Sequence, residues 1–182
     1  MEDRNFTPFQ VLKTERLLLR QLRSTDDKEI FALRSNDDVN KYLDRKPGKS
    51  IDDAKNFIQT INENIRRNNS VYWAITLNGA DKLIGTICLF NFSEDHSKAE
   101  IGYELLPDFQ GKGIMQEAIS KVIDFGFQHA RLQSIEAYTH SENQSSTRLL
   151  EKLSFKKVGA ADENLLIFKL THNGLKEKQT GF

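Results

Sequence analysis

The stretch Leu105-Leu106-Pro107-Asp108-Phe109-Gln110-Gly111-Lys112-Gly113-Ile114-Met115 decides the fold, because it converts a strand into a helix. Two glycines within three residues let the backbone approach a ligand with no Cβ in the way. The first N–H groups of the following helix have no partner inside it and point outward with the positive end of its dipole, so the turn can cradle an anion. Lys112 adds a cation at the same place. The same glycines would also suit an ordinary turn. Neither nucleotide fingerprint fits, since the third glycine of a dinucleotide motif is missing and Gly111-Lys112 is followed by Gly113 rather than by Ser or Thr.

Working outward, residues 98–106 read as the strand entering this turn and residues 111–130 as the helix leaving it, with Ile114, Ala118, Ile119, Val122 and Ile123 on one side. A strand near 134–138 follows, which makes a parallel β–α–β unit. A second helix is expected over 144–153, and a closing strand pair over 155–158 and 165–170. Upstream, Val71, Trp73, Ile75 and Leu77 alternate as a half-buried strand. Asn78-Gly79 suits a tight hairpin turn, and residues 83–92 read as the partner strand. Ser50 and Asp53 form a capping-box signature ahead of Ala54, Phe57, Ile58, Ile61 and Ile65, which recur on one helix face. Leu17, Leu18 and Leu19 read as a first strand. The expected class is α/β (α+β), a single domain whose mixed, mostly antiparallel sheet of about seven strands carries helices on both faces.

Composition narrows the function. The 182 residues carry 26 Lys plus Arg and 26 Asp plus Glu, so no global basic field exists to hold a nucleic acid, and any bound anion must be held by local geometry. The single Cys88 excludes an internal disulfide, and the four histidines (His96, His129, His140 and His172) lack metal-ligand spacing, so no metal site is expected. No apolar leader and no uncharged run of membrane-spanning length is seen, which implies a cytoplasmic protein without membrane attachment. Residues 1–10 read as a polar arm and residues 171–182 as a tail, with the domain between them at 11–170.

The turn resembles motif A of the GNAT superfamily of N-acetyltransferases, Q/RxxGxG/A, with Gln110 and Gly113 at its first and fourth places and Met115 departing at the last. Met at that place is familiar in the branch containing the RimJ/RimL-type ribosomal-protein N-terminal acetyltransferases. Downstream, Asn143, Ser146, Arg148, Leu149, Leu150, Glu151, Lys152, Leu153, Ser154 and Phe155 are similar to the family's NxxSxRLLEKxGF segment, with Ser154 in place of Gly. Thr14 to Arg20 resembles the branch's first strand.

The resemblance implies acetyl-CoA as cosubstrate. Its pyrophosphate would lie on Gln110, Gly111, Lys112, Gly113, Ile114 and Met115, its pantetheine arm on the backbone of Leu105 and Leu106 between two splayed parallel strands, with Asn143 reaching it from the next helix. Asn143 also reads as an ordinary helix cap. Acetyl transfer needs a proton sink, oxyanion donors and a source of a proton for the thiolate. Glu100 is the first candidate base and Glu104 the second, with the N–H of Leu105 or Leu106 as oxyanion donor. Many relatives carry a Tyr acid where this chain has Leu150, so Ser146 or a water must stand in, or the thiolate leaves unaided.

A protein or peptide N-terminal α-amine, attacked directly in a ternary complex, is the expected acceptor. An α-amine of pKa near 8 needs only a weak base, whereas a lysine-like amine would take roughly 4–5 kcal/mol to deprotonate at neutral pH. The alternatives are a small amine such as a polyamine or aminoglycoside, and a non-catalytic coenzyme A-binding module. The chain reads as a monomer or a homodimer.

Overall fold

The computed structural model describes residues 5–173. Its sheet runs β1 (Leu12–Lys13), β2 (Leu17–Arg20), β3 (Val71–Leu77), β4 (Leu83–Phe90), β5 (Lys98–Leu105), β6 (Ser134–His140), β7 (Lys156–Ala160) and β8 (Leu165–Thr171) in chain order. In space the order is β1-β2-β3-β4-β5-β6-β8-β7. All neighbours pair antiparallel except β5 and β6. The helices are α1 (Asp27–Ser35), α2 (Asp37–Asn40), α3 (Ile51–Arg66), α4 (Ile114–Gln128) and α5 (Gln144–Lys152). The mixed sheet expected from the sequence is present, with the two-residue β1 as an extra edge.

Adjacent strand residues face opposite sides of a sheet, and neighbouring aromatics in β3 mark the two layers. Trp73 packs edge-on against Phe125 of α4, while Tyr72 meets Phe57 of α3 from the other face. Trp73 is fully buried and donates from Nε1 to the Gln10 carbonyl at 2.8 Å. The described part of the stretch read as a polar arm, residues 5–10, is therefore anchored, since Phe6 is also buried and packs on Phe92 and Phe125.

Local signals set the helix ends. The Ser50 hydroxyl accepts from the Asp53 N–H and the Asp53 carboxylate accepts from the Ser50 N–H, so the expected capping box starts α3, which buries Ala54, Ile58 and Ile65. α4 begins at Ile114 rather than Gly111, because Gly111 and Gly113 have φ of 72° and 73°, outside the helical region. The tight hairpin expected at Asn78-Gly79 opens into a longer loop, with a bulge between Ile75 and Thr76. Asn78 is drawn away from the hairpin, its N–H donating to Arg16 O and its Nδ2 to Thr14 O and Glu15 O.

A buried ion pair ties β2 to the turn before α1. Arg20 grips Asp26 with two hydrogen bonds of 2.8 Å, both side chains being 5% exposed, and also donates to the carbonyls of Gln21 and Asp81. At the other end of the sheet, every residue of the edge strand β7 is exposed.

Candidate active site

The site grows from a fork in the sheet. β5 and β6 pair only where Lys98, Ala99 and Glu100 face Ser134, Ile135 and Glu136. Past Glu100, β5 continues against β4 alone and β6 against β8, so a slot opens between the two parallel strands. Leu106 N–H donates to Ile84 O at 2.9 Å. Antiparallel bonding alternates along a strand, so the Leu105 N–H faces the slot instead. The Leu105 carbonyl is taken by Gln110 Nε2 at 2.9 Å, which folds the turn back onto the strand end.

At the mouth of the slot lies the glycine turn. A Cβ on Gly111 would meet nothing within 4 Å, so the glycine is required by its positive φ rather than by crowding. Gly113 caps α4 without a side chain, and among the described residues no acceptor meets the N–H groups of Gly111 to Gln116. These amides form a concave, electropositive rim. Arg16 stands beside it: its Nη1 donates to Lys112 O at 2.9 Å, and its Nη2 lies 3.4 Å from where a Gly113 Cβ would be. Glu117, in the first turn of α4, holds Arg16 there through Nε at 2.6 Å and its backbone N–H at 2.9 Å, and also accepts from the Thr14 hydroxyl. Burial pushes the Glu117 carboxyl up, but those three donors outweigh it and hold the group below its ordinary value.

Two cavities meet at the open end of β5. The first, about 520 Å³, is lined by Leu105, Gln110, Gly111, Gly113, Ile114, Met115, Asn143 and Ser146, which the sequence had placed around one ligand. The second, about 540 Å³, lies toward α1 and α3 and is lined by Arg34, Arg45, Phe57, Ile61, Tyr72, Cys88 and Gly102. Leu43, Tyr103 and Glu104 line both.

Three expected residues stand apart from this arrangement. Glu100 lines neither cavity, because its register opposite Glu136 fixes it where the strands have not yet separated. Glu104 takes the junction instead. Leu106 has spent its N–H on Ile84, and its carbonyl accepts from the Phe109 N–H, so its backbone has no free donor for an oxyanion or for the pantetheine arm. The Lys112 ammonium bonds to the Asp108 carbonyl at 2.8 Å rather than facing the rim. Asn143 caps α5, its Oδ1 accepting from Ser146 N–H at 3.2 Å, while lining the first cavity.

Sequence reading missed Tyr103, Arg16 and Arg45. Tyr103 OH lies 2.8 Å from Ser146 Oγ, bridging β5 to α5. Burial pushes its hydroxyl up to about 12, against the lowering effect of the Ser146 bond, so it stays protonated at neutral pH. Leu150, where many relatives have Tyr, is buried in the core. Arg45 grips Glu104 with bonds of 2.6 and 3.2 Å. These partners lie 43 to 101 residues apart, and no spacing rule joins them. Burial pushes the Cys88 thiol up to about 12, so it is not a ready nucleophile. His140 stacks on Tyr42 at the edge of the first cavity.

Comparison with known proteins gives a family match. Residues 16–156 match the model of the acetyltransferase (GNAT) domain. The chain is 38% identical over 151 residues to the uncharacterized N-acetyltransferase YoaA of Bacillus subtilis (strain 168), covering 83% of this chain and 85% of that protein. Among solved structures it resembles RimL, a ribosomal L7/L12 alpha-N-protein acetyltransferase in complex with coenzyme A (TM-score 0.80, 16% identity, 91% of this chain and 99% of that one). It also resembles spermidine N-acetyltransferase from Vibrio cholerae in complex with coenzyme A and spermine (TM-score 0.78, 24% identity, 90% and 99%). At those identities the two structures share the fold.

Proposed function

The chain belongs to the GNAT acetyltransferase family, and from that premise we propose that it acetylates the N-terminal α-amine of a protein or peptide. It is an N-acetyltransferase and uses acetyl-CoA. The observation that carries the reading is the meeting of two cavities at Tyr103 and Glu104, one suited to a coenzyme and the other open to an acceptor.

Acetyl-CoA supplies the thioester that the amine attacks. The chain's own groups divide the remaining work. The bare amides from Gly111 to Gln116, with Arg16 beside them, suit a pyrophosphate, and the slot past Glu100 suits an extended arm. Leu105 N–H, facing the slot, is placed to donate to the charge developing on the acyl oxygen. Glu104, at the junction, orients the amine and takes its proton directly or through water. Any carboxylate is a weak base, which is sufficient for an α-amine and poor for a lysine-like one. The Tyr103 hydroxyl, backed by Ser146, can deliver a proton to the departing thiolate, so the acid that Leu150 cannot provide comes from the strand.

The likeness to the Vibrio cholerae spermidine enzyme makes a small polyamine the second acceptor class. Thiol release from acetyl-CoA with a panel of short peptides bearing free α-amines, run beside spermidine and N-acetylated copies of the same peptides, separates the two. Turnover confined to the free-amine peptides is expected. Turnover of spermidine alone would overturn the N-terminal reading.

A further inference from the structure

Resting on the reading of the second cavity as the acceptor site, we infer that the acceptor carries an anionic group, a carboxylate, close to its reactive amine, and that Arg34 recognises it. Charge in this cavity is unbalanced. Its walls hold two guanidinium groups, Arg34 and Arg45, against the single carboxylate of Glu104. That carboxylate is already claimed by Arg45 through two hydrogen bonds, with its side chain 9% exposed.

Arg34 has no such partner. Its guanidinium lies 4.0 Å from the centre of the Phe57 ring, half-buried, and makes no hydrogen bond or ion pair with any described residue. Burial first, and then the neighbouring charge of Arg45, push its pKa down and outweigh the raising effect of Glu104, as befits a cation partly withdrawn from solvent. The Phe57 ring covers one side of the guanidinium, and a guanidinium carries a fork of N–H donors whose geometry matches a carboxylate.

The remaining lining carries no further formal charge: beside apolar side chains such as Phe57, Ile61 and Phe90 it offers amides, such as Asn64, and hydroxyls, such as Ser70 and Thr86. A polyamine would bring further ammonium groups into a pocket with a positive excess and no second carboxylate to receive them. An acceptor with one amine and a nearby carboxylate complements it, the amine going to Glu104 and the carboxylate to Arg34. An acidic side chain next to a peptide N-terminus and the carboxylate of a free amino acid both present that chemistry.

The test compares two amidated peptides that differ only in Glu or Gln at the second residue, alongside free glutamate and spermidine, at saturating acetyl-CoA. In the unaltered enzyme the acidic peptide is expected to exceed its Gln twin by about tenfold or more in kcat/KM, carried by KM, as befits a charge-assisted contact. In Arg34→Met that ratio should fall to within about twofold, and Arg34→Lys should retain part of it. A preference for free glutamate over both peptides would keep the anion rule and assign it to an amino acid, overturning the peptide acceptor. Equal rates for the twins would overturn the anion rule while leaving N-terminal acetylation intact, and turnover of spermidine alone would overturn both. Calorimetry of the same twins on the enzyme saturated with coenzyme A gives an answer independent of turnover. Tighter binding of the acidic twin supports the inference, and equal affinity refutes it.

Discussion

Tyr103 and Ser146 lie 2.8 Å apart across the slot, and their order in the reaction can be tested one hydroxyl at a time. Removing the phenolic proton in Tyr103→Phe should lower kcat about ten- to a hundredfold, with the KM for acetyl-CoA within about twofold, because a thiolate leaves readily and needs modest help. Ser146→Ala should cost less, and the double variant no more than Tyr103→Phe, since the two act as a unit. The Tyr103 hydroxyl, held up to about 12, keeps its proton across the working range. The kcat–pH profile should therefore show no alkaline limb up to about pH 10. The buried Arg20–Asp26 pair makes a stability prediction. Asp26→Ala would strand a guanidinium that is 5% exposed, and the urea midpoint should report a loss of about 3–5 kcal/mol.

At the scale of elements, the N-terminus of α4 is the part on which coenzyme binding rests. Gly113→Asp must place a side chain at φ 73°, beside Arg16, and put a negative charge where the amides await an anion. Coenzyme A affinity measured by calorimetry should fall by at least about tenfold, with the unfolding temperature of the free enzyme shifted far less than the loss of binding would suggest. Glu117 couples this turn to β2 and gives the element a pH response. Its folded carboxyl sits below the ordinary range, so the stability it contributes is complete above the unfolded value of about 4.3 and disappears as pH falls through the lower folded value. Glu117→Gln should flatten the acid limb of a stability–pH curve in that window, while also loosening the hold on Arg16.

Which of these elements could be read in advance follows from the reach of each signal. The capping box of α3 and the glycines before α4 are local patterns, and each carries its own geometry within a few residues. The alternation of β3 marked a strand but not its burial, since the expected half-buried strand is buried on both faces from Val71 to Thr76 between α3 and α4. β1 escaped because a two-residue ladder has no period to detect. The hairpin at Asn78 was misjudged because its side chain answers to Thr14 and Glu15, some 63 residues earlier. The site was legible where one motif supplies it and silent where two distant segments must meet. Thus the cradle was found, whereas the Tyr103–Ser146 and Arg45–Glu104 partnerships, and the placing of Glu104 rather than Glu100 at the junction, depend on where the strands part.

At the scale of the whole molecule, the sheet is a broad leaf, β1 to β5, joined to a narrower leaf of β6, β8 and β7 by three residue pairs along one seam and by the crossover through α4. A molecule laid in the open part of that seam stands where further backbone bonds of a continuous sheet would have been. It should therefore act as a splint as well as a reactant. Deuterium uptake by the β6 amides and by Ile101 to Leu105 should slow together when coenzyme A is added, more than uptake in β3 does, and the melting temperature should climb with the logarithm of its concentration. Departure of the spent carrier would then leave the two leaves free to flex about their short hinge, tying product release to the mechanics of the sheet.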